Sequence, residues 1–175
     1  IMFFSVRELE LRKAPFDLEV APGKIEFDDG LKQATPLRAK GVAELASSTL
    51  QEIRVSGKFA VTMAADCDRC LEPSSFDLDT EFDLHYRPGE SAGPAEESHL
   101  DDEESEIGFY DGEGLALEDV LKEQVLLGLP MQRLCKPECK GMCPACGQNR
   151  NLVACGCSQA NVDNRWAALK EIKRP

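Results

Sequence analysis

The cysteines of this chain are concentrated in one short stretch near its C-terminal end. Six of the eight cysteines lie between residues 135 and 157, and the other two are separated by only two residues earlier in the chain. A stretch this rich in cysteine has few large apolar side chains for a core, so its fold must depend on bonds made by sulfur. The residues are Cys67 and Cys70, then Cys135, Cys139, Cys143, Cys146, Cys155 and Cys157.

Metal-bound thiolates explain these spacings better than disulfides. No stretch reaches eighteen consecutive apolar residues, and the first residues lack the basic and apolar regions of a signal peptide. We therefore expect a cytoplasmic protein without a membrane span, in a compartment where thiols stay reduced. Zn²⁺ takes four ligands in a tetrahedron, and a C-x2-C turn such as Cys143–Cys146 directs two sulfurs to one ion. The pattern predicts structural Zn²⁺ as the cofactor.

The spacing leaves the choice of the four ligands open. One set is Cys143, Cys146, Cys155 and Cys157, and another is Cys135, Cys139, Cys143 and Cys146. Eight cysteines are also enough for two ions, in which case Cys67 and Cys70 join one of the C-terminal pairs at a second site. That last arrangement would attach the earlier part of the chain to its C-terminal end.

Strict alternation of apolar and polar residues predicts two neighbouring strands. Residues 53–63 and 76–86 each place apolar side chains on one face and polar side chains on the other. One solvated face is typical of an antiparallel sheet. Arg54 and Lys58 on the first strand would oppose acidic residues on the second, which favours their pairing. Cys67 then lies at or near the turn of a hairpin.

Other elements have weaker signals. Apolar residues at helical spacing predict a helix over 115–129 and another at the C-terminus. Residues 88–114 are acidic and contain several Gly and Pro residues, which is typical of a loop. The remaining predictions are a short helix or turn at 5–13, a strand at 35–45 and an additional strand at 25–27.

Together these elements predict an α+β fold. An antiparallel β-sheet or meander would pack with one or two helices, and a small cysteine-rich, zinc-binding module would follow it. We expect the α+β domain at residues 1–132, with its acidic loop at 88–114. The zinc module with its C-terminal helix would occupy residues 133–175.

The charge of the chain is distributed unevenly. The formal net charge is −12, yet residues 133–175 contain eight basic and three acidic residues. Residues 88–132 contain one basic and 13 acidic residues. The cysteine-rich end is thus the only basic part of an acidic protein, which favours an anionic partner at that end.

No signature of a common enzyme class is present. The sequence lacks a P-loop, a GxGxxG motif and a GxSxG motif, and a zinc ion held by four thiolates has no open position for catalysis. A thiol redox enzyme is the chemical alternative, but it needs a helix after the first cysteine. Pro73 and a strand follow Cys67 instead. We expect no enzymatic activity and no small-molecule substrate.

Several segments resemble the YceD family, whose members are described as large ribosomal RNA subunit accumulation proteins. They are CDRCLEP at 67–73, LGLP at 127–130, LCKPECKGMCPACGQNRN at 134–151 and NRWAALKEIK near the C-terminus. The resemblance extends from about residue 35 to 172. Met142 and Arg150 stand where the family pattern leads us to expect Leu. The resemblance implies a role in accumulating the 23S ribosomal RNA, with that RNA or a large-subunit ribosomal protein as partner.

Two functional hypotheses follow. In the first, the protein is a ribosome-biogenesis factor whose basic module binds RNA phosphates. The candidate RNA-binding residues are Arg69, Lys136, Lys140, Arg150, Arg165, Lys170, Lys173 and Arg174. In the second, the acidic surface, including residues 77–83 and 96–106, holds a basic large-subunit ribosomal protein.

Overall fold

Two long strands joined by a short turn form the centre of the fold. The computed structural model describes residues 2–28, 30–89 and 107–157. The elements in these ranges are β1 (Phe3–Ser5), α1 (Val6–Leu11), β2 (Ala14–Val20), β3 (Lys32–Gln33), β4 (Leu37–Ser47), β5 (Glu52–Asp66), β6 (Pro73–Pro88), β7 (Ile107–Tyr110), β8 (Gly114–Ala116) and α2 (Leu117–Gly128). Neither helix is long and apolar enough to span a membrane.

Most of these strands belong to one six-stranded sheet. Its order is β2-β4-β5-β6-β7, and β3 pairs with β5 beyond the end of β4. All of the neighbours are antiparallel except β6 and β7, which are parallel. β1 and β8 form a separate antiparallel pair. Within the described residues, the fold is therefore a mainly antiparallel sheet with two helices, which agrees with the sheet-and-helix part of the predicted class.

The predicted hairpin is present and longer than the alternation alone indicates. β5 and β6 each extend three residues beyond the predicted ranges toward Cys67 and Cys70, and β6 also extends to Pro88. The inward face is buried, with Ile53 and Met63 fully inaccessible to solvent. On the outward face, Arg54 donates two hydrogen bonds to the Asp83 carboxylate, at 2.7 and 2.6 Å. The predicted pairing of opposite charges across the strands is thus present for Arg54.

The helices cover the inner face of the sheet. α2 buries four residues at helical spacing, namely Leu117, Val120, Leu121 and Val125, as the pattern over 115–129 predicts. Glu118 and Asp119 lie in its first turn, where they interact favourably with the helix dipole. α1 begins after Ser5, whose hydroxyl oxygen accepts a hydrogen bond from the Glu8 amide.

Some predictions about the elements need correction, one strand was not predicted, and other predictions fall outside the described ranges. Residues 25–27 form no strand, so that prediction is wrong. β2 was not predicted because Pro15 suggests a break, but an edge strand tolerates proline. Within the predicted loop 88–114, β7 and β8 occupy the end of the segment. Residues 90–106 and the predicted C-terminal helix lie outside the described residues.

A pair of glycines lets the central strands approach closely. Gly41 on β4 lies opposite Gly57 on β5. On their other sides, Gly41 pairs with Phe16 of β2, and Gly57 pairs with Phe82 of β6. A Cβ added at Gly41 would clash with the backbone oxygen of Ser56, and it would lie 2.6 Å from Phe16 Cζ and 2.8 Å from the Gly57 Cα. The Phe16 ring therefore packs in the space that a side chain at residue 41 would occupy.

Gly41→Ala should lower the free energy of unfolding by about 2 kcal/mol, because the added methyl group overpacks this contact. Urea unfolding followed by circular dichroism measures the change. Gly128→Ala, at the end of α2, is the matched control: its Cβ would make only ordinary contacts, 3.7 Å from Leu78. Equal stability changes in the two variants would contradict the close packing of the glycine pair.

Glu52 connects the start of β5 to the end of β6. Its carboxylate accepts hydrogen bonds from His85 Nδ1 at 2.7 Å and Arg87 Nε at 2.8 Å. Burial acts to raise the pKa of Glu52, but the bonds from Arg87 and His85 outweigh it, so the pKa lies below its ordinary value. A carboxylate with a lowered folded-state pKa stabilises the fold above the unfolded-state pKa, and the stabilisation is lost as pH falls through the folded-state pKa.

Glu52→Gln should lower the free energy of unfolding by about 1 kcal/mol at neutral pH. The difference in unfolding free energy between this variant and the parent protein should shrink as pH falls below about 4.5. Below that pH the parent's Glu52 carboxyl takes up a proton when the chain unfolds, and the stabilisation by the carboxylate is lost. Urea unfolding at several pH values measures it. Glu19→Gln, which removes an exposed partner of Arg38, should cost only a few tenths of a kcal/mol. A difference that grows toward acid pH would contradict the assignment.

Candidate metal centre

The first sulfur group joins the hairpin turn to the chain after α2. Cys67 and Cys70 lie in the turn between β5 and β6, whereas Cys135 and Cys139 follow α2. Their four sulfur atoms all lie within 4.8 Å of one another. Cys67 Sγ is 3.8 Å from Cys139 Sγ, and Cys70 Sγ is 3.6 Å from Cys135 Sγ. This group therefore connects the sheet to the cysteine-rich segment.

The second sulfur group is local in the sequence. Cys143, Cys146, Cys155 and Cys157 also bring their four sulfur atoms within 4.8 Å of one another. Cys143 is buried, Cys155 is half-buried, and Cys146 and Cys157 are exposed. This second group is thus nearer to solvent than the first group, in which three of the four cysteines are buried.

Both groups are compact enough for a tetrahedral thiolate site, and distances within the first group match one. With sulfur–metal bonds of about 2.3 Å, neighbouring sulfurs of a tetrahedron lie about 3.8 Å apart. The distances of 3.6 and 3.8 Å in the first group match this value. All eight cysteines are free thiols. Each group can therefore hold one metal ion.

The geometry distinguishes among the alternatives that the sequence leaves open. Cys143, Cys146, Cys155 and Cys157 are one of the predicted sets, and the structure brings them together. Cys67 and Cys70 join the pair Cys135 and Cys139, which is the two-site arrangement. The set Cys135, Cys139, Cys143 and Cys146 is divided between the two groups.

The turns that carry the first pair of each group have the same backbone geometry. The amide of Leu71 donates to the Cys67 carbonyl at 2.9 Å, and the amide of Gly147 donates to the Cys143 carbonyl at 2.8 Å. Leu71 and Gly147 both have positive φ, at 60° and 72°. Glycine adopts this conformation readily, but an L side chain is strained there. Leu71 therefore holds a glycine-type position, with its side chain 62% exposed.

Backbone amides favour the thiolate form of one cysteine in each turn. Burial acts to raise the pKa of Cys67, but amide hydrogen bonds from Cys135, Arg69 and Cys70 bring it down to about 6. Amides of Cys146 and Ala145, with the Cys155 thiol, lower the pKa of Cys143 to about 6. Thiolates are the form of cysteine that binds metals, so both turns are prepared for a cation.

Asparagine side chains connect the two groups. Asn151 lies between the second and third cysteines of the second group, yet its Nδ2 donates to Cys139 Sγ of the first group at 3.3 Å. Its Oδ1 accepts from the Lys140 amide at 2.9 Å. Asn149 Nδ2 donates to Glu72 in the hairpin turn at 3.2 Å. Neither residue was predicted as part of the site, although both stand in the NRN sequence after Gln148.

Backbone contacts complete the attachment of the segment to the hairpin. The Asp68 amide donates to the Arg133 carbonyl at 2.8 Å, and the Met142 amide donates to the Arg69 carbonyl at 2.9 Å. Arg133 also forms an ion pair with Asp68. The C-terminal segment therefore packs on the hairpin turn through main-chain bonds as well as through sulfur.

Four of the predicted RNA-binding residues lie in this region. Arg69 is exposed, and its guanidinium donates to the Cys139 carbonyl at 3.3 Å and to Gln132 at 3.4 Å. Lys136, Lys140 and Arg150 are exposed on the cysteine-rich segment. The other four, Arg165, Lys170, Lys173 and Arg174, lie outside the described residues.

Comparisons with known proteins match most of the chain. Residues 55–173 match the family described as "Large ribosomal RNA subunit accumulation protein YceD". An uncharacterized protein of Mycobacterium tuberculosis is 30% identical over 151 residues, which cover 86% of this chain and 67% of that protein. YlbN of Bacillus subtilis, also uncharacterized, is 24% identical over 177 residues, or 97% of this chain and 93% of its own.

A plant relative carries a functional name. The "Large ribosomal RNA subunit accumulation protein YCED homolog 1, chloroplastic" of Arabidopsis thaliana is 26% identical over 102 residues. The match covers 58% of this chain and 32% of the plant protein. No solved structure matches the chain significantly.

Substitutions at the two positive-φ positions, Leu71 and Gly147, should have different effects on the stability of the two turns. Gly147→Ala should destabilise the second turn by about 1 kcal/mol and speed amide exchange at Cys143 and Gly147 roughly fivefold. Leu71→Gly should leave the first turn unchanged or up to about 1 kcal/mol more stable, because the relief of strain exceeds the added chain entropy. Hydrogen exchange followed by NMR measures both. Faster exchange at Cys67 in Leu71→Gly would contradict the assignment of strain.

Proposed function

This chain belongs to the YceD family, and we propose that it is a non-enzymatic ribosome-biogenesis factor that supports accumulation of the 23S rRNA of the large subunit. The family description carries this proposal, since it names large ribosomal RNA subunit accumulation. The geometry supports a binding role, because both sulfur groups hold surface segments in a defined shape and both consist entirely of cysteine ligands.

The proposed cofactor is structural Zn²⁺, one ion in each sulfur group. Four thiolates in a tetrahedron suit zinc, which also requires no redox partner. Cys67, Cys70, Cys135 and Cys139 would hold one ion, and Cys143, Cys146, Cys155 and Cys157 the other. Bound zinc would supply folding energy of about 10 kcal/mol or more to a segment that has almost no apolar core.

The number of cysteine ligands favours a structural role for the proposed zinc ions over a catalytic one. A catalytic zinc keeps one position for water or substrate, whereas four thiolates fill the coordination shell. A thiol redox enzyme needs an accessible nucleophile, and Cys67 is fully inaccessible to solvent. Strand β6, and no helix, follows Cys67 and Cys70, so the usual helix-terminal activation of a C-x2-C thiol is missing in this turn.

The basic residues beside the sulfur groups form the proposed RNA surface. Lys136, Lys140 and Arg150 are exposed, and none of them forms an ion pair with a described residue. The rigid backbone would hold them for contacts with phosphate oxygens. Arg69 would add a contact from the hairpin turn. Arg165, Lys170, Lys173 and Arg174 remain proposed members of this surface.

A second candidate function is favoured by the outer face of β6. Asp77, Asp79, Glu81 and Asp83 alternate along this face. Arg54 neutralises Asp83, whereas Asp79 and Glu81 have no ion pair within the described ranges. Such a row suits a basic protein surface, so the chain would then hold a basic large-subunit ribosomal protein.

We predict two zinc ions per folded chain. Native mass spectrometry should find two ions in the parent protein and one in Cys135→Ser, which removes a ligand of the first group. Cys155→Ser should likewise retain only one ion, because it removes a ligand of the second group. Ser48→Ala, in the turn between β4 and β5, serves as the control and should retain two ions. A folded protein without metal would contradict the zinc proposal.

We also predict that the three exposed bases carry RNA binding. The variant Lys136→Ala/Lys140→Ala/Arg150→Ala should bind large-subunit rRNA fragments more weakly and with a salt slope smaller by about 2, since each lost single-strand phosphate contact changes it by about 0.7. Fluorescence anisotropy at several salt concentrations measures the slope. Lys24→Ala/Lys32→Ala/Lys58→Ala, which removes equal charge elsewhere, is the matched control.

The same pair of variants tests the function in cells. After depletion of the native protein, the ratio of large-subunit to small-subunit rRNA should fall, and the control variant should restore it while the three-base variant does not. Equal salt slopes for the two variants would contradict the RNA surface. An unchanged rRNA ratio on depletion would contradict the proposed role in rRNA accumulation.

A further inference from the structure

A cleft lies at the end of the sheet that is opposite the sulfur groups. It has a volume of about 330 Å³ and is bordered by β1, β7, β8 and α2. Tyr86, near the end of β6, lines the cleft, whereas Pro73 begins β6 beside the cysteines. At about 3.3 Å per residue, these two positions are separated by roughly 40 Å along the strand. The cleft is therefore a separate surface from the cysteine-rich module.

Exposed aromatic rings form part of the cleft wall. Phe3 is 51% exposed and Phe109 is 60% exposed, and both line the cleft. Leu115 and Val120, which are buried, also line it. The faces of exposed phenylalanine rings attract cations and cover apolar side-chain stems. The wall thus offers contacts for a side chain that is both apolar and cationic.

Three carboxylates line the same cleft. They belong to Asp111, Asp119 and Glu123. None of them forms an ion pair within the part of the chain that the structure describes. Glu123 accepts a hydrogen bond from the Tyr86 hydroxyl at 3.3 Å. The cleft therefore combines apolar contact with uncompensated negative charge.

The arrangement does not suit a bare metal ion or an anionic ligand. Within the described ranges, only the two cysteine groups bring three or more potential metal ligands within 4.8 Å of one another. The three carboxylates would repel RNA phosphates. The chain between Gly89 and Ile107 carries eight acidic residues and no Lys or Arg, so its charge also opposes occupation of this cleft.

We propose that this cleft binds an extended segment of a partner protein in which a Lys or Arg stands beside an apolar residue. The cation would lie against the Phe3 and Phe109 rings, with its charge toward Asp111 and Asp119. The apolar residue would cover the remaining exposed ring surface. This inference goes beyond the RNA contacts proposed for the cysteine-rich module and does not depend on them.

A labelled short peptide of alternating Arg and Leu tests the proposal with the full chain. Fluorescence anisotropy should show binding of this peptide and none of the matched peptide of alternating Glu and Leu. Phe109→Ala should weaken binding about tenfold, through loss of the ring contact. Because Phe109 is largely exposed, this variant should retain the parent's thermal midpoint, which circular dichroism checks.

Charge variants separate a specific cleft from general attraction to an acidic protein. Asp111→Asn/Asp119→Asn should weaken peptide binding about tenfold at physiological salt. Asp79→Asn/Glu81→Gln removes the same charge from the outer face of β6 and should change the affinity by less than about twofold, because exposed charges this distant are screened. Equal losses in the two double variants would overturn the proposal.

Three other results would also overturn it. The first is unchanged affinity in Phe109→Ala. The second is self-association of the parent chain that Phe109→Ala abolishes, since a second copy would then occupy the cleft. The third is peptide binding that appears only after residues 90–106 are deleted, since the chain itself would then occupy the cleft.

Discussion

The rest of the structure depends on the junction between the hairpin turn and the four sulfur atoms of the first group. Cys67 and Cys70 lie in the turn of the longest strand pair, and Cys135 and Cys139 belong to the segment after α2. The cysteine-rich segment has little regular secondary structure in the described residues, so its position follows from this junction. Main-chain bonds from Asp68 and Met142 then determine its orientation. The second group, whose cysteines are close in sequence, lies on the segment that the first group attaches to the sheet.

Sequence patterns predicted the features that depend on local spacing. Alternation identified β5 and β6, and helical spacing identified α2, because each pattern reflects one face turned toward the core. The C-x2-C spacings predicted metal-ligating cysteines, and the structure gathers the eight cysteines into two groups that could each hold an ion. The family resemblance supplied the proposed function, which no pattern of residues could have provided. The ends of the strands extended further, since pairing in the sheet continues beyond the strictly alternating residues.

Features that depend on contacts distant in sequence were left open or were not predicted. The two-site arrangement was one of the alternatives, but choosing it depends on where the hairpin turn meets the chain after α2, which spacing does not encode. The parallel pairing of β6 and β7 is a contact between residues such as His85 and Ile107. Asn151 bonds to a sulfur of the other group. The strand at 25–27 was wrong because three alternating residues carry too little information.

The two sulfur groups differ in the length of chain that each must close, and this difference changes the entropic cost of closing them. Cys143 and Cys157 are fourteen positions apart, whereas Cys67 and Cys139 are 72 positions apart. Closing the longer loop costs about 1.4 kcal/mol more in chain entropy. The second group can therefore close within its own segment, without a cysteine from the sheet. The first group closes only when the hairpin turn and the segment after α2 are both in position, so unfolding of the sheet would open the first group and leave the cysteines of the second group close in sequence.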